Sequence, residues 1–172
     1  PPTTAEWRRL HAGEVLVVQI PVKGTGLPLA RGRKLIAAPV QRVWPYIANC
    51  GKYSTTMVRV IRSRMLSQKD GVVECETVTK LPLLLGSLRT HSRAVHVAGP
   101  KVWSRVWTLV EGDFLYNTGA WYLTPLPGNL HLSLLTYEIH AEPNLSVPNF
   151  VIKRGQTSGV TNMLNRIASL AT

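Results

Sequence analysis

The chain is organised around an aromatic stretch, 101–141, that is followed by one long helical pattern. Three runs rich in Trp, Tyr, Val and Thr are separated by Glu-Gly-Asp at 111–113 and by a Pro-Gly break at 125–129. These side chains favour extended strands, and such breaks are typical of hairpin turns. The stretch therefore predicts three successive antiparallel strands.

From Pro148 onward the apolar residues recur at every third or fourth position, which indicates an amphipathic helix. A short helix is expected at 38–51, after the first strand region, and 52–57 is expected to be a second short helix or an irregular link. Further strands are predicted upstream of the aromatic stretch, at 14–21, 29–37, 58–68, 72–80 and 88–98. The fold class is α+β: a curved antiparallel β-sheet that grips a long C-terminal α-helix.

The length of 172 residues predicts a single domain, 1–172, whose core buries about 70% of the surface of the unfolded chain. A core of this size does not require a disulfide, and Cys50 and Cys75 are too few for a disulfide framework. No apolar run reaches the roughly 20 residues of a membrane span, so we expect a soluble protein. The chain begins without Met, which suggests loss of an upstream segment and leaves the compartment open between cytoplasm and periplasm or exterior.

The net charge of +11 favours anionic partners. The cations are dispersed, so two interpretations remain: solvated surface charge, or a folded patch that docks on an anionic membrane. Nucleic acid is an unlikely partner, because the aromatic residues are not interleaved with the basic clusters as in RNA-binding motifs.

Motifs for catalysis, cofactors or metals are weak. The five histidines are scattered and none forms a metal-binding pair at helical spacing. Gly24-Thr25-Gly26 is too short for a phosphate-binding loop, and no Ser-His-Asp context is present. We therefore expect no cofactor and no metal, and assign no catalytic residue.

Strand alternation assigns one face of each aromatic strand to the interior. We predict that the inward side chains form one wall of a ligand site: Trp103, Arg105, Trp107, Trp121, Leu123, Leu135, Tyr137 and Ile139. Aromatic residues suit a ring-containing ligand, although core packing alone explains most aromatic residues on sheets.

Arg105 carries the sharpest hypothesis in the sequence. If it lies inside, burial of the lone cation would cost several kcal/mol, so it needs a carboxylate, carbonyls or a polar ligand group as its partner. The alternative is that this strand face is exposed and that the guanidinium stacks on an exposed Trp.

The last helix is predicted to supply the opposite wall through Val151, Gly155, Gly159 and Met163. The two glycines remove side-chain volume and could widen a cavity. Close packing of helix on sheet without a cavity is the competing interpretation. The apolar segment 81–87 is either a loop that closes over the cavity or an irregular strand edge.

The motifs and their order resemble the START-like helix-grip superfamily, which includes START lipid-transfer domains, polyketide aromatase/cyclases, coenzyme-Q-binding proteins and the birch-pollen allergen family. The resemblance covers nearly the whole chain. It rests on GEVLV at 13–17, AAPVQRVWPYIAN at 37–49, GAWYLTP at 119–125 and LLTYEIHAEP at 134–143.

This resemblance implies an elongated apolar cavity between the sheet and the last helix. We expect a noncatalytic protein that binds and transports a hydrophobic small molecule, of lipid, sterol, quinone or polyketide type. A polyketide aromatase/cyclase is the alternative, with Arg105, Tyr137 and Trp121 as the residues that would orient a substrate carbonyl. Fold alone does not choose between them.

Overall fold

A computed structural model describes residues 1–81 and 85–172 of the chain. In these two ranges it contains four α-helices and eight strands. The helices are α1 (Thr4–His11), α2 (Val40–Ala48), α3 (Tyr53–Thr56) and α4 (Asn149–Ala171), with a 3-10 turn at Cys50–Lys52. The strands are β1 (Leu16–Ile20), β2 (Leu29–Ile36), β3 (Val60–Lys69), β4 (Val72–Lys80), β5 (Ser87–Ala98), β6 (Trp103–Gly112), β7 (Phe114–Leu126) and β8 (Asn129–Pro143).

The strands form one antiparallel sheet in the order β1-β2-β8-β7-β6-β5-β4-β3. Helices α2, α3 and α4 cover its inner face, and α1 packs on the outer face against Leu16 and Leu134. The predicted α+β fold is confirmed: a curved antiparallel sheet holds the long C-terminal helix. No helix of the described ranges, α4 included, is both long enough and apolar enough to cross a membrane.

The turn at Asp70-Gly71 joins β3 to β4, as the sequence predicts. Both residues have positive φ, 50° and 77°, which is the backbone that a two-residue hairpin turn of this kind requires. The predicted bounds of β4 agree with the observed strand. The prediction for the segment 81–87 falls partly on residues 82–84, which lie outside the described residues.

Helix α4 packs on the sheet at Gly32 of β2, where the missing side chain leaves space. A Cβ atom at Gly32 would overlap Val160 and would lie 2.6 Å from Cδ1 of Leu164, so a glycine is required for this contact. The fully buried stripe of the helix is Val160, Leu164, Ile167 and Ala171. This stripe orients the remaining faces of α4.

A disulfide joins Cys50, in the 3-10 turn after α2, to Cys75 on the inner face of β4. Their Cα atoms are 6.3 Å apart and both residues are buried. A disulfide is unnecessary for a core of this size, and the sequence did not predict this pairing. Their separation of 25 residues carries no local signal, because only the folded sheet brings β4 to the end of α2.

Candidate functional site

The inner face of β6 is the one that the sequence predicts. Arg105 is 3% exposed and Trp107 is 9% exposed, whereas Val106 between them is 43% exposed on the opposite face. Trp103 is half-buried against the core. The alternative, in which Arg105 stacks on an exposed face, is wrong.

Arg105 lies under the segment that follows α2. Its Nε donates a hydrogen bond to the hydroxyl of Tyr53 at 2.9 Å, and that hydroxyl donates to the carbonyl of Ile47. Nη1 donates to Nε2 of His96 at 3.3 Å, and Nη2 lies 3.6 Å from Sγ of Cys75. The guanidinium is thus held by neutral groups from three separate parts of the fold.

The charge of Arg105 dominates the electrostatics of this cluster. Burial, reinforced by Arg105, lowers the pKa of His96 to about 4, so the imidazole is neutral at pH 7 and can accept the hydrogen bond. Burial raises the pKa of the Tyr53 hydroxyl, and Arg105 partly opposes that effect. At neutral pH the guanidinium is therefore the charged member of the cluster.

Three aromatic rings form a stack beside the cation. The ring of Tyr137 lies 4.0 Å from that of Trp121 and 6.0 Å from that of Trp107, near parallel in both cases. Nε1 of Trp107 donates to Oδ1 of Asn117 at 3.1 Å, which satisfies the buried indole. Burial, with a smaller contribution from Tyr53, raises the pKa of Tyr137, so its hydroxyl stays protonated and can donate.

The predicted phases of β7 and β8 are confirmed. Leu123 and Leu135 are fully buried, and Tyr137 and Ile139 pack against the core while keeping some accessible surface. The wall predicted from strand alternation is thus one continuous inner surface.

The residues of α4 that were predicted to line a ligand site differ in their burial. Met163 packs against the core and Val151 is half-buried. Gly155 and Gly159 are exposed, and no atom would lie within 4 Å of a Cβ at either position. The two glycines are outside the close contact of helix and sheet, and their contact with a ligand stays a prediction.

One protein family matches most of the chain. Residues 36–168 match the family described as polyketide cyclase / dehydrase and lipid transport. The chain belongs to this family. No curated protein sequence matches the chain.

Solved structures share the fold at low sequence identity. A STAR-related lipid transfer protein from Xanthomonas axonopodis superposes with a TM-score of 0.80 at 18% identity, over 92% of this chain and 94% of the other. Human StAR-related lipid transfer protein 5 gives 0.78 at 16% identity, over 97% and 90%. The Zhui aromatase/cyclase from Streptomyces sp. R1128 gives 0.64 at 12% identity, over 83% and 92%. At these low identities the likenesses show that the chain has the same fold, and they do not identify its ligand or activity.

Sequence reasoning missed Tyr53, His96 and Cys75, which surround Arg105. Tyr53 follows an irregular segment without periodicity. His96 shares its strand phase with Thr90 and Ser92, both buried on the inner face of β5, so alternation applied to β5 would have placed it inside. No residue pattern would have joined these three to Arg105.

A cleft of about 450 Å³ lies on the other face of the sheet, beside α1. Its polar groups include Arg31 and Glu138, which pair with each other at 2.5 Å. Because its charges already have partners, we place the candidate site on the inner face. Within 1–81 and 85–172, no cluster of acidic, His and Cys side chains is arranged to hold a metal ion.

Proposed function

We propose that the protein binds and carries a hydrophobic small molecule between the inner face of the sheet and α4. The ligand is of lipid, sterol, quinone or polyketide type. The observation that carries this proposal is the aromatic stack of Trp107, Tyr137 and Trp121 beside the buried Arg105. Large apolar faces with a few converging polar groups are the usual chemistry of small-molecule sites.

The surface of Tyr137 supports an internal space at this point. Tyr137 retains accessible surface, although burial raises the pKa of its hydroxyl. An inner-face side chain that keeps accessible surface is not fully covered by its neighbours, and that surface is available to a ligand. Membership of the family described by lipid transport and polyketide cyclisation agrees with such a space.

We also propose that the end of the sheet beside the start of α4 docks on an anionic membrane. The backbone N–H of Asn144 donates to the carbonyl of Asp113 at 3.0 Å, so the β8–α4 loop lies beside the β6–β7 turn. Leu115 and Leu145, which lie close to these two residues in the chain, are 61% and 39% exposed, and Phe150 at the start of α4 is 72% exposed. Lys153 and Arg154 follow in α4, and the net charge of +11 adds long-range attraction.

Native mass spectrometry tests ligand binding directly. The protein would be incubated with a total lipid extract, desalted and examined for bound mass, and the ligand would then be extracted and identified. A stoichiometric small-molecule adduct that is reduced in Trp121→Ala supports the proposal. An adduct-free spectrum after incubation would overturn it, provided that circular dichroism shows the protein to be folded.

A polyketide cyclase remains the second candidate. The observation in its favour is that Arg105 and Tyr137 place hydrogen-bond donors on an aromatic wall, where they would polarise a substrate carbonyl. Turnover of a poly-β-ketone that is lost in Arg105→Ala and in Tyr137→Phe would support an enzyme. Turnover retained in both variants would remove these residues from any catalytic role.

A further inference from the structure

Arg105 is a buried cation without a carboxylate partner in the described ranges. Across 1–81 and 85–172 every ion pair is made by other cations, which are more exposed. Tyr53, His96 and Cys75 stabilise the guanidinium through polar contacts but contribute no negative charge. A buried charge without a counter-charge costs several kcal/mol, so the resting cluster is electrostatically incomplete.

The free donors of Arg105 define what can complete the cluster. A guanidinium has five N–H groups. One on Nε, one on Nη1 and one on Nη2 point to protein atoms, and within the described part of the chain no contact is recorded for the second N–H on each terminal nitrogen. Donors on two neighbouring nitrogens suit an acceptor group with two oxygens, such as a carboxylate.

The surrounding wall supplies the rest of an amphipathic site. The stacked rings of Trp107, Tyr137 and Trp121 offer apolar area beside the cation. Thr90 and Ser92 face the same interior from β5, and among the described contacts their hydroxyls make no hydrogen bond to another side chain. A ligand with an acidic head and an apolar body fits this arrangement, in which a cation lies beside an apolar wall.

We propose that Arg105 receives the carboxylate of an amphipathic acid whose apolar body lies against the aromatic stack. One negative charge balances one guanidinium, which favours a carboxylate over a doubly charged phosphate monoester. This inference rests on the proposed ligand-binding function and narrows it to organic acids. Arg105 is then the residue that determines head-group specificity.

Matched probes with one chain length test the head group separately from the apolar body. The delipidated protein would be titrated with palmitic acid, 1-hexadecanol, methyl palmitate and hexadecyl phosphate below their aggregation concentrations, with Trp fluorescence as the readout. We expect palmitate to bind about 10- to 100-fold more tightly than the alcohol or the ester, the range of a charge-assisted hydrogen-bonded pair.

Two variants assign the preference to Arg105. In Arg105→Met the advantage of palmitate over hexadecanol should fall to less than about threefold, while hexadecanol affinity is kept. The control is Arg93→Met on the neighbouring strand, whose side chain is 57% exposed on the outer face. It should leave both affinities unchanged.

A measurement on the wild-type protein covers the case in which Arg105→Met does not fold. The carboxyl group of bound 1-¹³C-palmitate should stay ionised at lower pH than in water, because Arg105 stabilises the anion. The ¹³C chemical shift of the carboxyl carbon reports this ionisation. Equal affinity for acid and alcohol, or tighter binding of hexadecyl phosphate, would overturn the carboxylate assignment and leave the proposed function standing. Absence of binding by all four probes would count against both.

Discussion

Gly119 of β7 pairs directly with Trp107 of β6, and the space that its missing side chain leaves is occupied by the indole ring. A Cβ at this position would also overlap the carbonyl of Glu138 on β8. The aromatic wall therefore depends on the absence of a side chain at Gly119.

Replacing Gly119 by Ala should destabilise the protein. The added methyl group must displace the Trp107 ring or the backbone of β8, which costs about 1–3 kcal/mol in a well-packed core. Gly155→Ala is the control: it lies in α4 in open space, where Ala should raise the free energy of unfolding by about 0.5–1 kcal/mol. Urea unfolding followed by circular dichroism measures both, and equal effects of the two changes would contradict the packing argument.

Tyr53→Phe should lower the free energy of unfolding by about 1–3 kcal/mol, because a buried donor of Arg105 and the carbonyl of Ile47 both lose their partner. Tyr122→Phe, on the outer face of the sheet, provides the matched loss of a hydroxyl and should change stability by less than about 0.5 kcal/mol. A Tyr53→Phe protein as stable as the control would mean that the hydrogen-bonded cluster contributes nothing to the fold.

Stability should fall as the pH is lowered from 6.5 to about 4 because of His96. Its pKa is lowered from 6.5 to about 4 by burial and by Arg105, the charged group that faces it. In this window the unfolded chain binds a proton at His96 and the folded chain does not. Protonation therefore stabilises the unfolded state relative to the folded state. We expect a loss of about 1–2 kcal/mol, less than the full linkage value because the ring is partly exposed.

The variant His96→Gln should remove this part of the pH dependence. Urea unfolding at several pH values between 4 and 7 gives the slope of the unfolding free energy for each protein. His131→Gln, at an exposed position near the β7–β8 turn, is the control. A slope that is the same in wild type and His96→Gln would show that His96 does not titrate as the geometry requires.

Removing the Cys50–Cys75 bridge should destabilise the fold. Closing a loop with a separation of 25 residues is worth about 3.5 kcal/mol in the chain-entropy description. The double variant Cys50→Ala/Cys75→Ala should lose about this amount in urea unfolding, and a reducing agent should have no further effect on it. Identical unfolding of wild type with and without reductant, after reduction is verified by mass, would rule out a stabilising bridge.

Phe150→Ser should weaken binding to vesicles of phosphatidylcholine and phosphatidylserine, because burial of an exposed aromatic ring in the interface is lost. Leu130→Ser is the control, since Leu130 is also 72% exposed but lies at the β7–β8 turn, the opposite end of the sheet. Co-sedimentation at low and high salt measures both. If the two variants lose the same affinity, this end of the molecule is not the docking surface.

Local patterns predict much of the inner wall. Strand alternation places Trp103, Arg105 and Trp107 on one face because successive side chains of a strand point in opposite directions, whatever the rest of the fold does. The Asp70-Gly71 turn is equally local. Local patterns did not show which row of α4 packs on the sheet, because several rows of the helix are regular. Only the shape of the sheet at Gly32 selects Val160 and Leu164.

The sequence by itself determined the strands and the long last helix, since these follow from side-chain periodicity and turn chemistry. It also placed Arg105 on one strand face with Trp103 and Trp107, but only the tertiary structure decided that this face points inward. The tertiary structure alone decided what surrounds that cation. Tyr53, His96 and Cys75 come from α3, β5 and β4. The order of the strands places His96 and Cys75 near Arg105, and the packing of α2 and α3 on the inner face places Tyr53 there. Such contacts depend on distances across the folded sheet, for which a linear pattern carries no signal.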